Sequence, residues 1–152
     1  MQTTRKNMER MAEVVPDSDE QVLQHFLSNS NWKEREVLDQ VALEVNHQLG
    51  GKRDSALHID ESGFGKKGTH SVGVARQYNG RLGKVDNCQV GVFAALNHGK
   101  RVSLIDGRLY LPECWTNDPD RCDAAGIPKA EQSFKTKPEL ALEMVRYNRR
   151  LG

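Results

Sequence analysis

The hydrophobic period of this sequence changes at Gly50-Gly51, and that change restricts the fold more than any other feature. Before the glycines, apolar residues between Val37 and Leu49 recur at steps of one, three and four, which is typical of one helix face. After them, short apolar runs follow one another between turn signals such as Asn79-Gly80. Consecutive strands with short loops pair antiparallel, because a parallel pair needs a long crossover. The sequence therefore predicts an α/β protein in which a helical segment precedes an antiparallel meander.

Cap and turn signals place the individual elements. The predicted strands are Ala56–Asp60, Ser71–Tyr78, Cys88–Leu96 and Val102–Leu111. The predicted helices are one capped by Ser18, one capped by Asn31 with the face Val37, Leu38, Val41, Val45 and Leu49, and one beginning at Pro138 with the face Leu140, Met144, Tyr147 and Leu151. The rest is predicted to be a loose arm, Met1–Pro16, and a polar surface excursion, Pro112–Phe134, in which Trp115 packs.

Composition excludes several classes of protein. The formal net charge of +1 gives no general attraction to nucleic acid, so DNA affinity has to come from local patches. No apolar run approaches ~18 residues, and the N-terminus lacks the apolar middle of a secretory signal, so we predict a cytoplasmic protein. The cysteines Cys88, Cys114 and Cys122 form no CxxC pair, which favours free thiols over a zinc site.

Asp60 is the candidate metal ligand. It closes an apolar run, and a carboxylate held at a strand end suits Mg²⁺, which binds one or two carboxylates together with water and phosphate oxygens. Glu61 competes for the role, but strand alternation sends neighbouring side chains to opposite faces. His58, two positions before Asp60, would share its face and either support the site or serve as a structural histidine. From spacing alone, a lone Asp after a strand is more often a turn former or a helix cap.

A basic turn follows the candidate ligand. Gly65-Lys66-Lys67-Gly68 is small and flexible enough to approach a phosphodiester backbone, and Arg76 adds positive charge near the next turn. The GxxxxGK[ST] order of a nucleotide-binding loop is absent. Lys66, Lys67 and Arg76 are therefore candidate DNA contacts, and a solvated turn is the alternative interpretation.

Five ordered blocks of sequence carry a family resemblance. They are His58–Gly68, Ser71–Gly80, Asn87–Phe93, Arg108–Glu113 with Trp115, and Lys135–Leu140. Together they resemble the DDE transposases of bacterial insertion sequences, specifically the IS701-like group of the IS4-like superfamily. The resemblance extends from Gln24 to Leu151.

The resemblance implies an incomplete RNase H-like fold, which is a mixed sheet of strands with helices packed on it. It also implies Mg²⁺-dependent DNA cleavage and strand transfer at insertion-sequence ends, with two metal ions held by an Asp, Asp, Glu set. Asp60 matches the first Asp, and Glu61 stands at a position that is also acidic in such proteins. The second Asp and the Glu have no counterpart in this sequence. We therefore expect residues 1–50 to be an arm and helical segment, and residues 51–152 to be the first part of a truncated catalytic domain.

Two functions follow from that expectation. The first is a transposase fragment that is inactive alone and binds Mg²⁺ weakly or not at all. The second is a non-catalytic regulatory or DNA-binding fragment that associates with a full-length transposase. Both predict a sheet edge and an apolar helix face, Leu140 to Leu151, that lack their usual cover and favour pairing with another chain.

Overall fold

The computed structural model describes residues 7–152. They form six α-helices, four strands and a short 3-10 helix: α1 (Met8–Ala12), α2 (Glu20–Ser28), α3 (Glu34–Leu49), β1 (Ser55–Gly65), β2 (Ala75–Asn79), β3 (Lys84–His98), β4 (Arg101–Leu109), α4 (Glu113–Thr116), α5 (Pro119–Ala124), the 3-10 helix Lys129–Glu131, and α6 (Lys137–Leu151). Along the sequence, the chain divides into two compact units between Glu34 and Arg35. The predicted α/β class, with helices before an antiparallel meander, is confirmed.

The first unit contains α1 and α2. The side chain of Asp19 accepts a hydrogen bond from Val22 N at 2.7 Å, so Asp19 caps α2 and the prediction of Ser18 was wrong. The indole of Trp32 donates to the carbonyl of Phe26 at 3.0 Å, and the two rings stack 5.6 Å apart. The predicted loose arm is wrong over α1, while its first six residues lie outside the described part of the chain.

β3 is the central strand of the second unit. β1 pairs antiparallel along one of its edges, from Ser55 opposite His98 to Gly65 opposite Cys88. β2 and β4 lie on the other edge, where β2 pairs with the beginning of β3 and β4 with its end. Every pairing among the four described strands is antiparallel, as predicted for the meander, and this open sheet with its helices is consistent with the RNase H-like fold that the resemblance implies. Among residues 7–152, no strand pairs with the outer edge of β1.

Helices cover one face of this sheet. The core joins Ala42 of α3 and the α6 residues Leu140 and Met144 to alternate residues of β3, such as Val92 and Ala94. Burial of this face is the main favourable term in the folding of the unit. The predicted α6 face is therefore confirmed, and the expectation that it would lack cover is wrong.

The predicted face of α3 was partly wrong. Ala42 and Leu49 are buried, but Val37 and Val41 are exposed. The buried residues lie on the same side of α3 as Arg35, whose side chain donates a hydrogen bond to Asp106 of β4. This polar contact lies outside any apolar periodicity, so hydrophobic spacing alone does not locate the buried stripe.

The segment after β4 is more ordered than predicted. α4 and α5 bury Trp115 and Cys122 in a second core together with Val74, which precedes β2. The indole N–H of Trp115 donates to the carbonyl of Val74 at 2.9 Å. The prediction of an irregular surface excursion was wrong here, although Trp115 packs as expected. Within the described residues, no helix is long and apolar enough to cross a membrane.

Candidate metal and nucleic-acid site

Asp60 lies in the middle of β1, opposite Phe93 of β3. The prediction of a strand end was wrong, because β1 continues for five residues beyond Asp60 to Gly65. Antiparallel partners place their side chains on the same face, so Asp60, His58 and Phe93 share the sheet face opposite the helices. We call it the open face. Asp60 and His58 are both exposed there, so His58 is not the partly buried structural histidine.

The open face next to Asp60 has an aromatic floor. The ring of Phe93 lies where a Cβ on Gly91 or Gly107 would come within 2.7 Å or 3.0 Å of its carbon atoms. Phe64 meets Phe93 edge-on, with ring centroids 6.1 Å apart. Two glycines therefore allow an aromatic ring to lie against the backbone in the row that carries Asp60.

The carboxylate of Asp60 has lone pairs that accept no hydrogen bond within the described part of the chain. Its Oδ1 accepts one hydrogen bond, from the backbone N–H of Glu61 at 2.8 Å. An ionised carboxylate has about four lone-pair sites, so the remaining sites face solvent and fit a hard cation. Among residues 7–152, no group of three or more His, Cys, Asp or Glu side chains is arranged to hold a metal ion. Asp60 could therefore contribute one ligand of a set, but not a closed site.

Glu61 is engaged on the other face. Its Oε2 lies 2.5 Å from Nζ of Lys137, the first residue of α6, and both side chains are about 30% exposed. Adjacent β1 residues point in opposite directions, as predicted, so the two carboxylates cannot share one ion through this backbone. The geometry favours Asp60 over Glu61 as the available ligand.

The basic turn belongs to a longer loop, residues 66–74, between β1 and β2. Lys66 and Lys67 are exposed, as is the whole stretch from Lys66 to Ser71. The amide of Asn87 donates to the carbonyls of Lys66 at 2.7 Å and Gly68 at 3.0 Å. The predicted flexible turn therefore has an anchored backbone.

Arg76 lies on the same sheet face as Asp60 but far along it. It pairs with Asn87 in β2–β3, and Asn87 is six positions from Phe93 on β3. At roughly 3.3 Å per residue, Arg76 and Lys66 lie at most about 20 Å from Asp60 along the strands. The structure thus groups Lys66, Lys67 and Arg76 around Asn87 and separates that basic group from the carboxylate.

Sequence reasoning missed the residues that hold this loop. Asn87, Gln89 and Arg121 are its main side-chain donors, and Arg121 also covers the ring of Trp115 at 3.8 Å. Burial of Trp115 excludes base stacking by its ring. Asn87 and Gln89 alternate on a strand, and two polar amides on one strand face were the available signal.

Comparison with known proteins identifies the family of this chain. The family of DDE superfamily endonucleases matches residues 1–152. A probable transposase for insertion sequence element IS701 from Microchaete diplosiphon is 32% identical over 151 residues, which are 97% of this chain and 36% of that relative. No solved structure is significantly similar.

The open antiparallel sheet, with helices packed on one face, is consistent with the RNase H-like fold of DDE endonucleases. The chain belongs to the family of DDE superfamily endonucleases, and it is similar to the IS701 transposase. It spans about a third of the length of that relative. Divalent-metal use and DNA binding are general features of the superfamily.

Proposed function

We propose that this chain contributes the first carboxylate of a DDE set, Asp60, to the cleavage and strand transfer of insertion-sequence DNA. The observation that supports this best is the contrast between two neighbouring acids. Asp60 is exposed on the open face with spare lone pairs, whereas Glu61 is paired with Lys137. Mg²⁺ held by Asp60 would keep several waters and would take phosphate oxygens of the substrate as further ligands. A metal ion held there would stabilise the negative charge that develops on the attacking and leaving oxygens.

The sheet is a suitable support for such a ligand. β1 pairs with β3 over its whole length, so the backbone that carries Asp60 is fixed by hydrogen bonds on one side. Ile59, its neighbour, packs against the core on the helix-covered face. A short side chain on a fixed backbone loses little conformational entropy when it binds an ion. We propose residues 51–152 as the catalytic portion and residues 1–50 as an arm and helical segment, of which α3 packs on the sheet.

We propose that Lys66, Lys67 and Arg76 contact the DNA backbone. A separation of at most about 20 Å from Asp60 along the strands corresponds to up to roughly six nucleotides at 3.4 Å per nucleotide. The basic group would therefore contact phosphates flanking the cleavage position, and such contacts orient DNA without reading its sequence. Replacing Lys66 and Lys67 with Ala should make the negative slope of log K against log salt shallower by roughly 2. An unchanged slope would remove this loop from the DNA interface.

We further propose that residues 1–152 do not cleave DNA by themselves. One carboxylate cannot hold two cations against their hydration, and two-metal cleavage needs both ions in place. The test is nicking of supercoiled plasmid with Mg²⁺, with a full-length IS701-type transposase as positive control. We expect no nicking by the chain. Robust nicking that Asp60→Ala abolishes would contradict the need for further acidic residues.

A second function is association with a full-length transposase, and the outer edge of β1 favours it. That edge presents unpaired N–H and C=O groups along an 11-residue strand, within the described part of the chain. Such an edge can add a strand from another chain. Co-expression with a full-length transposase should give a defined complex and a lower transposition frequency. No complex and an unchanged frequency would exclude this function.

A further inference from the structure

In the 66–74 loop, the carbonyl groups take part in more hydrogen bonds with the rest of the protein than the N–H groups do. Most of its carbonyls accept a bond from a side chain of the protein. The bonds run from Asn87 to Lys66 O and Gly68 O, from Arg121 to Thr69 O at 2.9 Å, from Gln89 to Val72 O at 2.5 Å, from Gln77 to Gly73 O at 3.3 Å, and from Trp115 to Val74 O at 2.9 Å. Of the loop N–H groups, those of Lys66 and Val74 donate to backbone carbonyls of the described chain.

This division fixes the direction of the remaining N–H groups. In a planar trans peptide, the carbonyl of one residue and the N–H of the next point in opposite directions. The carbonyls of Lys66, Gly68 and Thr69 are turned toward side-chain donors of the protein. The N–H groups that follow each of them therefore point away from the protein, over a stretch that is exposed to solvent.

Outward N–H groups beside two lysines make a surface suited to phosphate. Backbone N–H groups donate to phosphate oxygens in many protein–DNA interfaces, and runs of them form concave anion sites. Lys66 and Lys67 add full charges at the same place. Because the carbonyls of Lys66, Gly68 and Thr69 are already bonded to side chains of the protein, their negative ends are turned away from an approaching anion.

We infer that Asn87 is a positioning residue that holds the 66–74 loop in this phosphate-binding form. It makes two of the side-chain bonds, and its own carbonyl accepts from Lys66 N at 2.9 Å. It is also the register partner of Arg76. One side chain thus lies between the two basic parts of the proposed DNA interface. The ligand is the phosphodiester backbone, and the inference rests on the proposed function.

The chain offers a matched control in Asn97. It lies on β3 like Asn87, is half-buried, and has the same parity along the strand. Its amide also donates to two loop carbonyls, Gly99 O at 3.2 Å and Arg101 O at 3.0 Å, in the β3–β4 turn. Substitution of either asparagine removes the same group and the same kind of bond.

The experiment compares Asn87→Ala, Asn97→Ala and the double variant of Lys66 and Lys67 to Ala, using duplex DNA of random sequence over a range of salt. Asn87→Ala should weaken binding about tenfold, the cost of ordering a freed loop. Its salt slope should stay unchanged because every charge is retained. The lysine variant should lower both the affinity for DNA and the steepness of the salt dependence, and Asn97→Ala should change neither quantity. Amide hydrogen exchange should accelerate across 66–70 in Asn87→Ala only.

The outcomes separate the two proposals. If the lysine variant weakens binding and Asn87→Ala behaves like Asn97→Ala, the positioning role is wrong and the DNA interface stands. If the lysine variant has no effect, or the wild-type chain does not bind, the interface itself is wrong. Hydrogen exchange then still tests the loop, because unchanged exchange in Asn87→Ala would overturn the positioning role without any reference to DNA.

Discussion

The buried carboxylate of Asp106 allows the sharpest prediction about stability. Its side chain has 0% exposure and accepts hydrogen bonds from Arg35 at 2.9 Å, Arg108 at 2.7 Å, Gly107 N at 2.8 Å and Asn148 at 2.9 Å. The donors come from α3, β4 and α6, so this one group ties both helices to the sheet. We predict that Asp106→Ala destabilises the second unit strongly.

The magnitude follows from what the substitution leaves behind. Removing one partner of a buried ion pair costs about 3–5 kcal/mol, because the other charge stays buried and unpaired. Arg35 keeps its bond to Asp39 at 2.7 Å, and the side chains of Arg35 and Arg108 are 29% and 27% exposed. Both side chains are therefore only partly buried, which places the expected loss at the lower end of that range, about 3 kcal/mol, or a decrease in Tm of roughly 10 °C.

The assay is urea unfolding followed by tryptophan fluorescence. The chain has two tryptophans, so a Trp32→Phe background leaves the buried Trp115 as the reporter for the second unit. The control is Asp123→Ala, which breaks an ion pair with Lys129 whose side chains are 48% and 73% exposed. We expect that control to cost far less than Asp106→Ala, because exposed ion pairs contribute little to stability. A loss for Asp106→Ala that matches the control would refute the reasoning.

Three further predictions concern titratable groups. Cys114 is exposed while the other two thiols are buried, so one thiol should react rapidly with Ellman's reagent and the others only on unfolding; three fast thiols would contradict this. The hydrogen bond to Asp39 raises the pKa of Tyr147. The stabilisation of the fold by this bond is therefore present below pH 10, the ordinary pKa of tyrosine, and is lost as pH rises through the raised pKa. Ultraviolet titration should show one tyrosine that ionises late, and this transition should be absent in Tyr147→Phe. The hydrogen bonds from Thr136 lower the pKa of Glu139, so the capping contribution is lost as pH falls through that lowered value, and Glu139→Gln should remove this part of the acid dependence of stability. An unchanged acid profile would contradict the capping box.

Local sequence signals predicted the elements well where one period persists. α6 has Pro138 in its first turn and apolar residues at helical spacing, and it forms as predicted. β1 was cut short because Gly63 and Gly65 resemble turn punctuation. In the structure Gly63 is inside the strand, where a Cβ would come within 2.5 Å of the side-chain oxygen of Asn79. A glycine is needed at this position because Asn79 packs closely against the backbone. A single sequence does not distinguish a glycine required for packing from a glycine required for a turn.

The polar contacts could not be predicted for a different reason. Arg35 and Asn148 are 71 and 42 positions from Asp106, and nothing local distinguishes these residues from surface ones. The same holds for Arg121, which reaches Thr69 across 52 positions. Alternation predicted correctly that Asp60 and Glu61 would point apart. Which face the helices cover was decided only by tertiary packing.

The face that carries Asp60 is the basis of the proposed metal role, and manganese relaxation tests it most directly. Mn²⁺ replaces Mg²⁺ at oxygen sites, and it broadens the amide resonances of nearby residues. With the 15N-labelled chain and millimolar Mn²⁺, we predict broadening at Asp60 and at Phe93 across the strand, lost in Asp60→Ala and retained in Glu61→Gln. Broadening that survives Asp60→Ala, or that centres on Lys137 at the start of α6, would contradict the account.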